Sequence, residues 1–259
     1  MDDIINYQIP HTMQTEIAER PTQRIQRVRH ELVRREVRVS RISSDSPGFL
    51  SLTFQSESLA GFTSLSFDDH VKFIITDASG ETHRRDFTPL DYNPITRELT
   101  LEFALHAHGP ACDWARNARV GDQAVIGGPK GSMIIPLDYD WHLLAGDASA
   151  MPAMRRRLQD LPVGSRVHVI AAVPSVADQI PFATQATVST QWLLHADDLV
   201  QALRNVALPA GDGFAWCAGE ASVMARVREV LLEERALPRE STRISAYWKA
   251  GATDFHETL

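Results

Sequence analysis

Arg85-Asp86-Phe87-Thr88 is the stretch with the most chemistry per residue. On a strand, Arg85 and Phe87 share one face. A guanidinium there can take a diphosphate bidentately, and the aromatic ring can stack on a flat heterocycle. The Thr88 amide or hydroxyl can donate to a ring nitrogen, and Pro89 then ends the strand. A second anion site is written into Gly109-Pro-Ala-Cys-Asp-Trp114, where a glycine opens a helix and its first amides lack partners. Gly127-Gly-Pro-Lys130-Gly-Ser132 is a tight turn through which backbone can approach a ligand. Ala145-Gly-Asp147 closes one apolar run and Ala218-Gly-Glu220 another, both at positions where nucleotide sites form on parallel sheets. Tyr247-Trp248-Lys249-Ala-Gly251 adds two aromatics and a cation near the C-terminus.

Two kinds of element must position these groups. Val37, Val39 and Ile42 begin a strand-like run. Phe49–Phe54, Val71–Ile75, Leu99–His106 and Gln123–Ile126 follow, separated by Ser46-Pro47-Gly48, Ser79-Gly80, Asn93-Pro94 and Gly121-Asp122. Short strands with such punctuation predict an antiparallel barrel or sandwich, interrupted by one helix over about 110–118. After Leu137 the texture changes. Strands at 141–145, 166–173, 187–193 and 214–218 alternate with helices at about 149–161, up to 205, and 221–235, the signature of βαβ units and a parallel sheet. The expected organisation is a polar arm over residues 1–28, a β-barrel domain over 29–138 and an α/β domain with a C-terminal segment over 139–259. The order, barrel then nucleotide-type sheet, is the ferredoxin-reductase-like layout.

Composition excludes several classes. The chain has 259 residues, 44% of them hydrophobic, enough for a core without metal or disulfide staples. Its net charge of −7 argues against general nucleic-acid binding. Cys112 and Cys217 form no CxxC pair, so this chain cannot ligate an iron–sulfur cluster through cysteine alone. Their use suits a reducing compartment. With no basic n-region and apolar core at the start, and no run of about 18 apolar residues, the expectation is a cytoplasmic chain with no membrane span.

As a set, these motifs resemble the siderophore-interacting proteins, the vibriobactin-utilisation-like family of FAD-dependent ferric-siderophore reductases. The resemblance runs from about Arg27 to Gly251. It rests on Phe67-Asp-Asp-His-Val-Lys72, Arg85-x-Phe87-Thr88, Leu105-His106 followed by Gly109-Pro-Ala and Trp114-Ala115, Gly128-Pro-Lys130-Gly, Ala145-Gly-Asp147, Ala218-Gly-Glu220 and Tyr247-Trp248-Lys249, in the family's order.

The resemblance implies FAD as cofactor and NAD(P)H as electron donor, with reduced ferredoxin as the other candidate. It gives Arg85 to the FAD diphosphate, Phe87 to the ring face and Thr88 to the flavin edge. Phe103, Leu105 and His106 fall on the next flavin-lining strand. Ala111 and Trp114 fall at the helix start near the phosphates and adenosine. Asp147 and Glu220 match the cleft between flavin and nicotinamide nucleotide. Ser132 and Trp248 complete the expected cofactor set, with Trp248 either covering a flavin face or packing as a core aromatic. Lys72, Lys130 and Lys249 match basic positions around a siderophore pocket, for a catecholate or a hydroxamate chelate. The chain departs from the family twice. Phe87 stands where tyrosine is usual, and Asp147-Ala148-Ser149 stands where Asp-Glu-Thr is usual.

The ordinary readings are a general flavin or ferredoxin-type electron-transfer reductase, and a binding protein that keeps a vestigial flavin fold. Among single residues, His106 and His108 could form a metal pair, but no third ligand at metal spacing is visible. His70 reads as a structural histidine. Arg155-Arg-Arg157 could hold a 2′-phosphate or form a solvated helix face, and the arginine-rich stretch 23–38 reads as solvated too.

Overall fold

The computed structural model describes residues 24–77, 79–105, 109–252 and 257–258. Seven strands form one antiparallel sheet: β2 (Arg34–Ser46), β3 (Phe49–Gln55), β4 (Val71–Thr76), β5 (Thr82–Phe87), β6 (Pro89–Asn93), β7 (Glu98–Ala104) and β8 (Gln123–Gly127), in the order β5-β4-β8-β2-β3-β7-β6. The edge strands β5 and β6 are consecutive in the chain, with only Thr88 between them. The sheet therefore curls until its two edges meet at that residue. Alternation drives the inward face: in β2, Val37 and Val39 are buried while Arg34, Glu36 and Arg38 are exposed. Val37, Val39, Phe54, Phe73, Leu99, Leu101 and Phe103 fill the interior. Helix α1 (Pro110–Asn117) leans on one end of this barrel, with Ala111 and Ala115 buried against it.

The second sheet begins at β10 (Trp141–Gly146), all six residues of which are buried. It adds β11 (Arg166–Ala172), β12 (Thr187–Leu193), β13 (Gly213–Glu220) and β14 (Thr242–Trp248), parallel throughout, in the order β12-β11-β10-β13-β14. A short antiparallel β15 (Glu257–Thr258) pairs with β14. Helix α2 (Met151–Asp160) packs in one cluster with Phe49, Phe67 and Trp216, on the side facing the barrel. Helices α3 (Asp198–Asn205) and α4 (Ala221–Arg228) pack on the other side, with Leu143, Ile170 and Ile244. Because β10 has β11 on one side and β13 on the other, the strand order reverses between β10 and β13. The carboxyl ends of those strands are where an open α/β sheet leaves a crevice.

Several strands were not foreseen: β6, β14 and β15, and two short ones. β1 (Gln26–Arg29) lies in the polar stretch expected to be an arm, and pairs antiparallel with β9 (Gly131–Ile134). Its side chains are mostly exposed, so no apolar period marks it. What holds it is backbone pairing. The approach is close enough that a Cβ on Gly131 would stand 2.6 Å from the Val28 carbonyl. Arg24 extends the attachment. Its guanidinium stacks on Tyr139 at 4.2 Å and pairs with Asp138 and Asp212.

The two sheets are bolted together by buried polar contacts. Asp68 accepts from Arg243 Nε at 2.5 Å and from Trp216 Nε1 at 3.4 Å. Asp178 accepts from the Gly48 amide at 2.7 Å, tying the β11–β12 connection to the β2–β3 turn. Arg155, Arg156 and Arg157 belong to this set, which corrects both readings offered for them. Arg155 pairs with Glu102 of β7 at 2.5 Å, Arg156 donates to Ser64 at 3.0 Å, and the buried Arg157 donates to the Ile135 and Pro136 carbonyls at 3.1 and 2.6 Å. Arg35, in the arginine-rich stretch, is also buried. It occupies an inward position of β2, donates to the Gly128 carbonyl at 3.0 Å and covers the Phe62 ring.

Candidate functional site

The curl of the barrel and the start of α1 create the first half of the site. Arg85 and Phe87 share one face of β5, as period two requires. Arg85 is half-buried, and its guanidinium donates to the neighbouring Arg84 carbonyl at 2.7 Å. Gly109 caps α1 at φ 156° with no side-chain cap. That conformation favours glycine and leaves the first helical amides to an outside acceptor. Two cations converge on the same turn. The Cys112 thiol is pushed up by burial, while Arg116 and Arg85 act to lower it and Asp113 to raise it, so both guanidinium groups, one of them paired with Asp113 at 2.8 Å, lie near the first turn of the helix. Uncapped amides plus two arginines suit a diphosphate.

Beside this turn is an aromatic wall. Phe87 and Phe103 are 4.4 Å apart between centroids, Phe73 meets Phe87 edge-on at 5.5 Å, and Trp114 meets Phe73 at 5.3 Å. Phe87 and Trp114 are only partly buried and can present ring faces, whereas Phe103 is fully buried. Phe103 thus backs Phe87 from within the core. Leu105 is half-buried at the end of β7 and Ala111 is buried in α1. His106, with His108, lies outside the described residues.

The second half of the site is the crevice at β10 and β13. Asp147 and Glu220 stand there, and the protein's own donors occupy both carboxylates. Asp147 accepts from the Ser149 amide at 2.9 Å through Oδ1, and from the Glu220 amide and Trp248 Nε1, each at 2.9 Å, through Oδ2. Glu220 caps α4 through the Ser222 and Val223 amides at 2.6 and 3.2 Å and accepts from Ala250 N at 3.2 Å. These hydrogen bonds hold the Glu220 carboxyl below its ordinary range despite some burial. Both residues act as scaffold for the crevice, and the one indole donor of Trp248 is committed to Asp147. The C-terminal segment reaches the barrel one residue earlier. The buried Tyr247 hydroxyl faces the Thr88 side chain, and burial drives its pKa up.

Ser132 is likewise engaged within the protein. Its hydroxyl donates to Asp69 at 2.6 Å and accepts from the Leu65 amide at 3.2 Å. A hydroxyl has one proton to give, so the cofactor contact expected of Ser132 is not a donated one. Of the three lysines, Lys72 pairs with Asp86 of the Arg85–Thr88 stretch at 3.1 Å. It stands opposite Gly127 across β4 and β8, so it adjoins the turn carrying the exposed Lys130. Lys249 is exposed two residues after Tyr247. Asp77, Glu81 and His83 cluster at the far end of the β4–β5 hairpin, where Asp77 takes His83 at 2.7 Å and the Ser79 and Glu81 amides. Glu81 Oε1 stands 3.9 Å from His83 Nδ1.

Comparison with known proteins decides the family. The family model described as "Siderophore-interacting FAD-binding domain" matches residues 77–133, and that described as "Siderophore-interacting protein" matches 139–251. The chain is 35% identical over 247 residues to the NADPH-dependent ferric-chelate reductase of Escherichia coli, covering 87% of this chain and 96% of that one. This chain belongs to the siderophore-interacting protein family. A second relative, the ferric vibriobactin reductase of Vibrio cholerae, is 28% identical over 240 residues, 82% of this chain and 89% of its own. Among solved structures, a siderophore utilization protein from T. fusca superposes with a TM-score of 0.84 at 27% identity, over 89% of this chain and 98% of that one. The fold is ferredoxin-reductase-like, as expected; far more distant reductase structures share it. Within the siderophore-interacting family frame, the FAD-binding match spans β5, the Thr88 junction, α1 and the Lys130 turn, the elements that build the first half of the site.

Proposed function

We propose that this chain is an FAD-dependent reductase that releases iron from ferric siderophores, with NADPH as the electron donor. The observation that carries it is the convergence of Arg85 and Arg116 on the uncapped start of α1, next to the half-exposed face of Phe87. FAD fits those residues. Arg85, Arg116 and the first amides of α1 would hold the diphosphate, with Ala111 small enough to let it approach. Phe87 would stack on the ring system, backed by Phe103 and flanked by Leu105 and Trp114, and Thr88 would meet the ring edge. Bound FAD supplies a change of currency, taking two electrons as hydride and passing one at a time to iron.

The chain's own residues do the rest. Tyr247 faces Thr88 and so sets the second sheet's C-terminal segment against the flavin motif. Asp147, Glu220 and Trp248 form a hydrogen-bonded frame at the crevice where the nicotinamide nucleotide would lie. Lys72 and Lys130, which adjoin the same turn, and Lys249 on the C-terminal segment would supply the positive charge for an anionic chelate. A lysine about 4 Å from an anionic oxygen gains roughly 4 kcal/mol at an effective dielectric near 20, before desolvation. Reduction to Fe(II), a less charged ion, weakens oxygen ligation, so the metal leaves once reduced. We assign this activity to the cytoplasm: among the described residues no helix is long and apolar enough to cross a membrane, and both cysteines are unpaired thiols.

The test is anaerobic. Flavin-loaded protein is mixed with NADPH, NADH or reduced ferredoxin while the flavin absorbance is followed, and a ferric siderophore is then added with an Fe(II) trap. Bleaching by NADPH and recovery on adding chelate are expected. A protein that binds no flavin, or whose reduced flavin ignores ferric chelates, would end this reading.

A further inference from the structure

We propose that His30 is the proton donor to the siderophore oxygens that leave iron, held in the required tautomer by Ser132 and Asp69; this rests on the reductase reading above. His30 Nε2 lies 2.7 Å from Ser132 Oγ, and Ser132 Oγ lies 2.6 Å from Asp69 Oδ2. Asp69 Oδ2 also accepts from Ser64 Oγ at 2.9 Å and from the Ser66 amide at 3.1 Å, and Arg156 faces the carboxylate while donating to Ser64 at 3.0 Å. Burial pushes the Asp69 carboxyl up and these hydrogen bonds act to lower it; three donors converging on Oδ2 mark that oxygen as the acceptor of the array. Ser132 must then spend its only proton on Asp69, leaving its lone pairs to the Leu65 amide and to His30. Nε2 of His30 therefore carries a hydrogen, and Nδ1 is the basic ring position. One ring nitrogen's hydrogen bond sets the state of the other.

The place of His30 supplies the substrate. Its backbone amide donates to the Lys130 carbonyl at 2.9 Å, which sets it against the turn carrying Lys130, a cation of the proposed siderophore pocket. Phe67-Asp-Asp-His-Val-Lys72 gains a role here that charge alone does not give: Asp68 joins the sheets, and Asp69 anchors the array.

The chemistry needs a proton at this point. When one electron converts Fe(III) to Fe(II), each catecholate oxygen that leaves the metal is a strong base. The imidazolium of His30 gives its Nδ1 proton to one such oxygen, which becomes a hydroxyl. The ring returns to the Nε2–H form that Ser132 already holds, and water reprotonates Nδ1. An imidazole can give a proton from one ring nitrogen while the other keeps its hydrogen bond, which an ammonium group, with its single nitrogen, cannot do. The inferred substrate class is accordingly the catecholate chelates, whose oxygens have the greater need of protons.

The test uses FAD-loaded protein, photoreduced without nicotinamide and mixed with iron(III) tris(2,3-dihydroxybenzoate) or iron(III) tris(acetohydroxamate) and an Fe(II) trap. His30→Gln keeps a donor for Ser132 but has no proton to transfer. It should retain wild-type FAD content and wild-type affinity for the gallium(III) dihydroxybenzoate complex. Its single-turnover reduction of the iron dihydroxybenzoate complex should be at least tenfold slower, with a much smaller loss on the hydroxamate. The wild-type rate should fall in D₂O and the variant's should not. Independently, ¹⁵N spectra of histidine-labelled protein should show His30 as the Nε2–H form, and Ser132→Ala should shift it towards a mixture. A His30→Gln rate equal to wild type, or a wild-type Nδ1–H tautomer, overturns the proposal and leaves the reductase reading intact. Wild-type protein that reduces neither chelate overturns the reductase reading itself. Should His30→Gln lose its FAD, the spectra and Ser132→Ala still decide the question.

Discussion

Arg243 on β14 and Asp68 in the connection leading to β4 meet at 2.5 Å across the junction of the two sheets, both well shielded from water. Trp216 Nε1 shares the same carboxylate oxygen. Strands β13 and β14 of the second sheet are thus tied to a segment that runs directly into Lys72. Asp68→Ala should cost about 3–5 kcal/mol, because it strands a buried guanidinium as well as an indole N–H. Urea unfolding is the measurement. A loss under about 1 kcal/mol would show that the barrel and the parallel sheet do not depend on this joint for their packing.

Glu102 gives the same junction a dependence on pH. Burial pushes its carboxyl up to about 7, with Arg155 acting in the opposite direction. A carboxylic acid whose pKa is higher folded than unfolded stabilises the fold most while protonated in both states. That contribution falls as pH rises from about 4.5, the ordinary value, through about 7. Glu102→Gln, which cannot ionise, should lack this decline. The difference in melting temperature between variant and wild type should therefore move in the variant's favour between pH 5 and pH 8. A constant difference across that range would mean that Arg155 holds Glu102 ionised throughout.

How much of this was legible depended on whether side chains or backbone carried the information. The alternation in Phe49–Phe54 and the buried run at 141–145 gave strands where strands lie, since apolar period is what burial selects. β1 and β9 were missed because main-chain pairing and the close approach at Gly131 hold them, and neither leaves a period. Arg155, Arg156 and Arg157 look like a solvated face in one dimension, because their partners Glu102, Ser64 and the Ile135 carbonyl are remote in sequence. Asp147 and Glu220 were placed at the crevice by their strand-end motifs, but that their oxygens are filled by Trp248 and Ala250 is tertiary information. His30 bore no motif at all. Only the folded array with Ser132 and Asp69 distinguishes it.

Arg85→Ala should lower flavin occupancy while leaving the fold intact. Among the described residues the hydrogen bond of the half-buried guanidinium goes to the Arg84 carbonyl, so its removal strands no charged partner among them. It would take from the diphosphate a charge-assisted partner worth about 1.5–3 kcal/mol, a roughly tenfold or greater weakening. Occupancy is read from absorbance after dialysis against limiting FAD. Arg116→Ala should act in the same direction more weakly, since Arg116 is also engaged with Asp113 at 2.8 Å. Unchanged occupancy in the double variant would remove the anion site from α1.

The lysines should contribute unequally. Lys72 is neutralised in part by Asp86 at 3.1 Å, so Lys72→Ala should weaken binding of an anionic ferric catecholate less than Lys130→Ala does. Asp86→Asn, which removes a negative charge beside Lys72, should tighten it. Exposed charges are screened over about 8–10 Å at ordinary ionic strength, so wild-type affinity should fall with added salt, and the variant lacking Lys72, Lys130 and Lys249 should show a shallower fall. A neutral ferric hydroxamate should respond to neither change. The measurement is a fluorescence titration of each chelate at low and high salt, with FAD content checked in parallel. If the triple variant binds and reduces the anionic chelate as wild type does, the chelate sits elsewhere on the barrel rim. The chemistry at Phe87 would then be that of a general reductase with no dedicated siderophore pocket.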